Sequence, residues 1–311
     1  MRIVLLDAAT LGEDISLDAF AKFGETDIYA TTTAAQTQER IADADIVVTN
    51  KVVITREHML TCKSLQCICI AATGMNNVDL DAAKEFGITV KNVAGYSTDS
   101  VIQHTFSMLL YLIGHARYYD EYVASGKWCD SPIFTHLAHP FFEIKGKRWG
   151  IVGLGEIGSG VAKVAQTFGA RVCYYSTSGK NENRDYARVA LDTLLQKCDI
   201  ISIHAPLNED TRNLLDYEKL LTCKAGAIVL NLGRGGIIDE NAAAKIVDKR
   251  DIAFGLDVLE SEPMRCDHPL LKVKNKHRLY ITPHIAWTSI EARKRLVAAI
   301  IENIETFLHE K

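Results

Sequence analysis

Arg148-Trp149-Gly150-Ile151-Val152-Gly153-Leu154-Gly155-Glu156-Ile157-Gly158-Ser159-Gly160-Val161-Ala162 joins a short apolar run to a helical pattern through Gly-x-Gly-x-x-Gly. Each of the three glycines has its own physical role in a dinucleotide site. Gly153 permits the tight turn out of a strand, and Gly155 leaves room for backbone to approach a pyrophosphate. Gly158 lets the following helix pack close to the sheet, so that its N-terminal N–H groups face the phosphates. Glycine-rich turns are common, and alone this one would be a weak signal. Here it follows a strand-like segment and opens a helix ending near Phe168-Gly169, the context that a dinucleotide fold requires.

Working outward from that turn, strands are expected at Arg148–Val152, Arg171–Tyr175, Ile200–His204, Ala227–Asn231, Ile252–Leu256 and Leu279–Thr282. Six strands with crossover helices fit the doubly wound fold. Before it, strand candidates at Arg2–Leu6, Asp27–Tyr29, Asp45–Thr49, Cys67–Ala71 and Ile88–Val90 alternate with helical stretches at Leu17–Phe23, Thr37–Ile41, Arg56–Cys62 and Asp79–Phe86. That alternation makes a second, smaller parallel sheet. Ser97-Thr98-Asp99 is an N-cap cluster opening an apolar helix from Val101 to about Arg117, apolar enough all round to be buried between domains or in an oligomer interface. An aromatic, irregular segment, Tyr118–Phe142, follows, of the kind that reaches a partner subunit or a cleft. The last stretch, about Ser289 to Leu308, puts Val297, Ile300, Ile304, Phe307 and Leu308 on one helical face, which the first domain is placed to receive. The expected division is therefore 1–98 plus 288–311, and 99–287, with the chain crossing twice; closure between the two domains is expected from that double crossing.

With 311 residues, 48% apolar and 24% charged, the chain has enough core for two domains and is not disordered. A net charge of −4 gives no basic footprint for nucleic acid. No run is long enough to span a membrane, and the N-terminus enters as a strand with no signal peptide, which makes the cytoplasm the expected location. The eight cysteines are scattered, without Cys-x-x-Cys or a paired histidine. They read as buried free thiols, and no metal site is expected.

Three polar stretches follow expected strands, where ligands bind in open α/β sheets. In Asn231-Leu232-Gly233-Arg234-Gly235-Gly236, the arginine between glycines has a planar fork that matches a carboxylate, although a surface arginine beside a turn would look the same. Asp257-Val258-Leu259-Glu260-Ser261-Glu262-Pro263 and Thr282-Pro283-His284-Ile285-Ala286-Trp287 add carboxylates and a histidine at the ends of two more strands. One arginine, one carboxylate and one histidine on three strands of a single cofactor sheet make a constellation that is hard to dismiss.

These motifs, with Asn50-Lys51, Ala72-Thr73-Gly74-Met75-Asn76-Asn77-Val78-Asp79, Gly95-Tyr96-Ser97-Thr98-Asp99-Ser100-Val101 and His204-Ala205-Pro206-Leu207, run almost the whole length. Through them the chain resembles the D-isomer-specific 2-hydroxyacid dehydrogenases, and within them the glycerate dehydrogenases (hydroxypyruvate reductases). The resemblance implies a Rossmann domain, a flavodoxin-like substrate domain, NAD or NADP as cofactor, a small 2-keto or 2-hydroxy acid as substrate, and a homodimer built on the 101–145 region. His284 would protonate the substrate carbonyl oxygen as hydride arrives at carbon, and act as base in the oxidising direction. Glu262, immediately before proline, would orient His284 and favour its protonated form. Glu260 and Asp257 compete for that role, but Asp257 looks like a cofactor-contacting position.

Arg234 would hold the substrate carboxylate, with the backbone N–H groups of Thr73, Gly74 and Met75. Lys51 would contact the substrate, or be a solvated lysine at a strand end. Trp287 fits the glycerate-type pattern or packs in a core. The remaining cofactor positions would be Thr98, Gly153, Leu154, Gly155, Glu156, Ile157, Ser176, His204, Ala205, Pro206, Thr211, Asn231, Leu232, Gly233, Arg234, Asp257, His284 and Ala286.

Ser176 departs from the family pattern: it stands where an aspartate usually holds the ribose 2′-hydroxyl, and the next acid is Glu182. Losing that charge removes the main repulsion against a 2′-phosphate, and Lys180 or the neighbouring hydroxyls could favour NADPH. D-lactate and phosphoglycerate dehydrogenases are rivals within the family. Because the chain ends soon after its last expected helix, no appended regulatory domain of the phosphoglycerate type is expected. A dinucleotide-sensing module like the C-terminal-binding transcriptional corepressors is the rival of another class. The acidic charge, the lack of disordered tails, Lys51 and Trp287 argue against it.

Overall fold

The computed structural model describes residues 1–310, which divide into two compact units: Met1–Ser97 with the chain from Thr288 onward, and Thr98–Trp287. In the first, β1 (Arg2–Leu5), β2 (Glu25–Ile28), α1 (Ala34–Ile41), β3 (Ile46–Thr49), α2 (Arg56–Thr61), β4 (Cys67–Ile70), α3 (Leu80–Glu85) and β5 (Thr89–Lys91) alternate. The five strands are all parallel, in the order β2-β1-β3-β4-β5. Every residue of β3 and β4 is buried, as expected for central strands covered on both faces. Thr55 and Asp79 cap α2 and α3 by accepting N–H bonds from His58 and Ala82. The stretch expected as a helix at Leu17–Phe23 is a 3₁₀ segment, Asp18–Phe23. The C-terminal helix, Ile290–His309, is capped by Ser289 and packs on β4, burying Leu296, Ile300, Ile304 and Phe307.

The second unit opens with two helices where one was expected: α4 (Thr98–Ile113) and α5 (Ala116–Ala124). Gly114 and His115 separate them, and His115 sits in the left-handed region at φ 46°, which no helix tolerates. α4 lies against the unit's own sheet and the helix Glu156–Thr167, so its apolar circumference is mostly spent within the unit. There follow β6 (Arg148–Val152), α6 (Glu156–Thr167), β7 (Arg171–Tyr175), β8 (Ala187–Arg188), α7 (Leu191–Lys197), β9 (Ile200–Ile203) and α8 (Tyr217–Thr222). β10 (Ala227–Asn231), α9 (Glu240–Lys249), β11 (Ile252–Leu256) and β12 (Leu279–Ile281) complete it.

The sheet has seven strands rather than the expected six, in the order β12-β11-β10-β9-β6-β7-β8. The addition, β8, is two exposed residues at the edge, too short and polar to leave a pattern. The order reverses between β6 and β9, and ligands of open α/β sheets bind beyond the strand ends at such a point. Trp149 anchors the centre: it is fully buried, donates its ring N–H to Ser202 at 2.9 Å and meets the ring of Phe106 at 5.1 Å.

Candidate active site

The turn after β6 has the steric demands that its glycines imply. Gly153 stands at φ 89°, and a Cβ there would lie 2.9 Å from the Ala205 nitrogen, so the β6 and β9 loops touch. A Cβ on Gly158 would collide with the Gly153 carbonyl, which fixes how closely α6 meets the strand. Gly155 is different, because a Cβ there would meet nothing within 4 Å. The space is a cradle at a helix N-terminus, and Gly155, as N-cap, offers no side-chain acceptor to the first-turn N–H groups. These residues fit a dinucleotide pyrophosphate.

Around that cradle, Thr98 donates its hydroxyl to Glu156 at 3.0 Å, and Ile157 packs against the core beside buried Leu154. The Leu154 carbonyl accepts from the Asn181 amide at 2.6 Å. Ser176 is buried at the end of β7, and its hydroxyl accepts the Asn181 N–H at 3.3 Å. Lys180 is exposed nearby in sequence. After β9, both ring nitrogens of His204 are shielded from solvent and meet no hydrogen-bond partner among the described residues. Burial pushes this imidazole down to about 3. Thr211 is also buried, and its hydroxyl donates to the Pro206 carbonyl at 2.7 Å, closing the loop that presents Ala205 and Pro206.

Asn231 shapes the loop after β10. Its side chain accepts the Gly233 N–H at 3.1 Å and donates to the Arg234 carbonyl at 2.8 Å, with Leu232 buried between. A Cβ at Gly233 would lie 2.7 Å from the Ala205 carbonyl, so this loop and the β9 loop also touch. Arg234 is exposed, bonds its own neighbour's carbonyl at 2.8 Å, and has no carboxylate partner among the described residues. Its guanidinium is a cation available to a ligand.

His284 and Glu262 lie in contact. His284 Nδ1 lies 2.7 Å from Glu262 Oε2, with both side chains partly exposed. Glu262 Oε1 also accepts the Leu259 N–H at 3.0 Å, which fixes the carboxylate in its loop. Of the competing acids, Glu260 turns to Arg212 at 3.0 Å. Asp257 is buried, and its carboxylate accepts from the Thr282 hydroxyl at 2.6 Å and from the N–H groups of Ile285 and Ala286 at 2.9 and 3.0 Å. Its backbone carbonyl takes the His284 N–H at 2.8 Å. Asp257 thus ties down the loop in which His284 stands at φ 54°, a strained conformation for a residue with a Cβ.

In the first unit, Lys51 is exposed on a loop held by Asp7, whose carboxylate accepts the N–H groups of Asn50, Lys51 and Val52. The Asn77 amide donates to the Val52 carbonyl at 3.1 Å from the neighbouring loop. The N–H groups of Thr73, Gly74 and Met75 meet no acceptor among the described residues, whereas the Thr73 hydroxyl and carbonyl bond Val93 and Asn92. Trp287, the last residue of the second unit, is half-buried.

Sequence reasoning passed over three residues around the dyad. His104 on α4 meets the Thr282 hydroxyl at 3.1 Å and Asp257 at 3.5 Å; burial lowers its pKa, against the pull of Asp257. Glu240 and His268, both nearly buried, pair at 2.8 Å beside the Glu262 loop. A single histidine on an apolar helix, or an acid after an N-cap, carries no signal until the fold brings its partner near. The described residues contain no cluster suited to a metal ion, and all eight cysteines are free.

Residues 106–286 match the model of the D-isomer specific 2-hydroxyacid dehydrogenase NAD binding domain. The chain is 38% identical to a hydroxypyruvate reductase of Blautia hydrogenotrophica over 99% of its own length and 97% of that protein's. It is 33% identical to a glycerate dehydrogenase of Methylorubrum extorquens, covering 100% of this chain and 97% of the other. Among solved structures, D-lactate dehydrogenase of Aquifex aeolicus, complexed with NAD and lactic acid, superposes with a TM-score of 0.85 at 25% identity, over 100% of this chain and 96% of that one. With a dinucleotide cradle and a carboxylate–imidazole dyad on one sheet, this chain belongs to the D-isomer specific 2-hydroxyacid dehydrogenase family, whose members are NAD-dependent oxidoreductases.

Proposed function

We propose that the protein reduces hydroxypyruvate, and glyoxylate less well, to the D-2-hydroxy acid. The observation that carries this reading is the His284–Glu262 contact on a sheet whose Arg234 meets no carboxylate among the described residues. The nicotinamide cofactor, when bound, supplies the hydride. The rest falls to the chain. Arg234 grips the substrate carboxylate and draws electron density from the adjacent carbonyl. With Nδ1 given to Glu262, His284 has Nε2 left to pass a proton to the carbonyl oxygen, and Glu262 stabilises the positive charge on the ring before transfer. The free N–H groups of Thr73, Gly74 and Met75 are further carboxylate donors, and Lys51 and Trp287 select the hydroxymethyl group of the larger substrate.

The candidate cofactor positions Gly153–Ile157, Thr98, Ser176, His204–Pro206, Thr211, Asn231–Arg234, Asp257 and Ala286 shape the dinucleotide cleft, some by contact and others, like Thr211 and Asp257, by holding loops. Ser176 in place of an acid permits NADPH beside NADH. We further propose a homodimer, supported by the apolar side chains that the 101–145 region leaves exposed, among them Phe134, Leu137 and Phe141. A cytoplasmic location is supported by eight free cysteines; no helix among the described residues is long and apolar enough to cross a membrane.

The test is oxidation of NADH and NADPH, in separate assays, with hydroxypyruvate, glyoxylate and pyruvate. Turnover fastest with hydroxypyruvate is expected, and the ratio between the two cofactors reports what Ser176 does. Turnover with pyruvate alone would move the assignment to a D-lactate type. Tight cofactor binding without any turnover would favour a dinucleotide-sensing module.

A further inference from the structure

The loop that carries Glu262 is gripped from outside the dyad. Glu240, the first residue of α9, turns inward and is almost buried, as is His268. His268 Nδ1 accepts the Leu270 N–H at 3.3 Å, which places the ring proton on Nε2, 2.8 Å from Glu240 Oε2. The other carboxylate oxygen, Oε1, accepts the Glu260 N–H at 2.6 Å. One residue earlier, the Leu259 N–H bonds Glu262 Oε1, while Glu262 Oε2 bonds His284. Gly235 completes the grip, because a Cβ there would collide with Leu259 and with the Glu260 nitrogen. The loop therefore has no freedom toward Gly235, next to Arg234, and is drawn toward Glu240.

Of the other charged groups that line the cavity of about 600 Å³ over this pair, Asp239 caps α9, Glu260 pairs with Arg212, and Arg265 pairs with Asp267. None of those carboxylates is left over to bind the loop backbone. A buried carboxylate costs stability unless its oxygens are satisfied, and Glu240 satisfies its own with one ring N–H and one backbone N–H.

We propose that Glu240 and His268 are positioning residues for proton transfer: they hold the 259–260 backbone so that Glu262 keeps its register on His284. The proposal rests on the reading of Glu262–His284 as the proton-transfer dyad. Glu240→Ala removes the acceptor of the Glu260 N–H, and Glu240→Gln keeps one. A merely structural role would lower stability in both and leave kcat and its solvent isotope effect alone.

The experiment reads steady-state kcat and KM for hydroxypyruvate, with the solvent deuterium isotope effect on kcat, in the full chain as wild type, Glu262→Gln, Glu240→Ala and Glu240→Gln, beside the melting temperature of each. Glu262→Gln should lower kcat by on the order of tenfold to a hundredfold and raise the isotope effect, as proton transfer becomes the slow step. Glu240→Ala should change both in the same direction, with KM changed little. Glu240→Gln should lie near wild type. If Glu240→Ala fails to fold, His268→Leu, which leaves Glu240 in place, should lower kcat in the same way by less. A kcat and isotope effect that change in Glu262→Gln but in neither the Glu240 nor the His268 variants overturn the positioning role alone. Values unchanged in Glu262→Gln overturn the dyad itself, and the positioning role with it.

Discussion

At the scale of single residues, the chemistry is carried by side chains whose neighbours decide what they can do. Glu262 and Glu260 lie two positions apart, and only contacts separate them: one meets His284, the other Arg212. Arg234 should be irreplaceable by lysine, because a point charge cannot make the paired bonds of a planar fork. Arg234→Lys is expected to lower kcat/KM for hydroxypyruvate about tenfold to a hundredfold, the worth of one charge-assisted bond. An unchanged ratio in steady-state kinetics would remove Arg234 from the carboxylate site. Asp257 reads from sequence as a cofactor contact, and in the fold its carboxylate is engaged by Thr282, Ile285 and Ala286. Asp257→Asn turns an amide donor toward an N–H, so a loss of about 1–3 kcal/mol is expected in denaturant unfolding. Little change would mean that the His284 loop holds its left-handed turn without this carboxylate.

At the scale of elements, the three glycines after β6 should behave differently when given a methyl group. Gly158→Ala forces α6 off the Gly153 carbonyl and should unfold at lower temperature. Gly155→Ala has open space in the protein and should keep the wild-type melting temperature while losing cofactor affinity in a fluorescence titration. Equal behaviour of the two would contradict the assignment of that space to pyrophosphate. The helix–strand alternation and the glycine turn were legible because period and spacing are local. The break between α4 and α5 was not, since the apolar pattern runs on through Tyr111 and Leu112 past Gly114; nor was β8, whose two residues bury nothing. Buried partnerships such as Asp257–His104 and Glu240–His268 join residues 153 and 28 positions apart, respectively, and no local pattern encodes them.

His204, on the loop after β9, gives this scale a pH signature. Its folded pKa of about 3 lies below the ordinary 6.5, so below pH 6.5 the unfolded chain binds the extra proton and stability falls as pH drops toward 3. His204→Gln should flatten the stability–pH curve across that window by up to about 1.4 kcal/mol per pH unit. An unaltered slope in unfolding experiments would show that the ring is solvated.

At the scale of the molecule, the chain forms two units, each built on a parallel sheet: a seven-stranded one that carries the glycine turn, Arg234 and the His284–Glu262 pair, and a five-stranded one that carries Lys51 and residues 73–75. If the exposed aromatic segment after α5 joins two copies, Phe134→Glu should shift the mass in light scattering from dimer to monomer, and a wild-type monomer would refute the homodimer. His284 as the acid is the assignment on which the proposed reaction depends. In His284→Ala, NADH oxidation with hydroxypyruvate should fall by about two to four orders of magnitude, while the dissociation constant for NADH stays near wild type. Turnover at the wild-type rate would contradict the assignment and return the proton to another group.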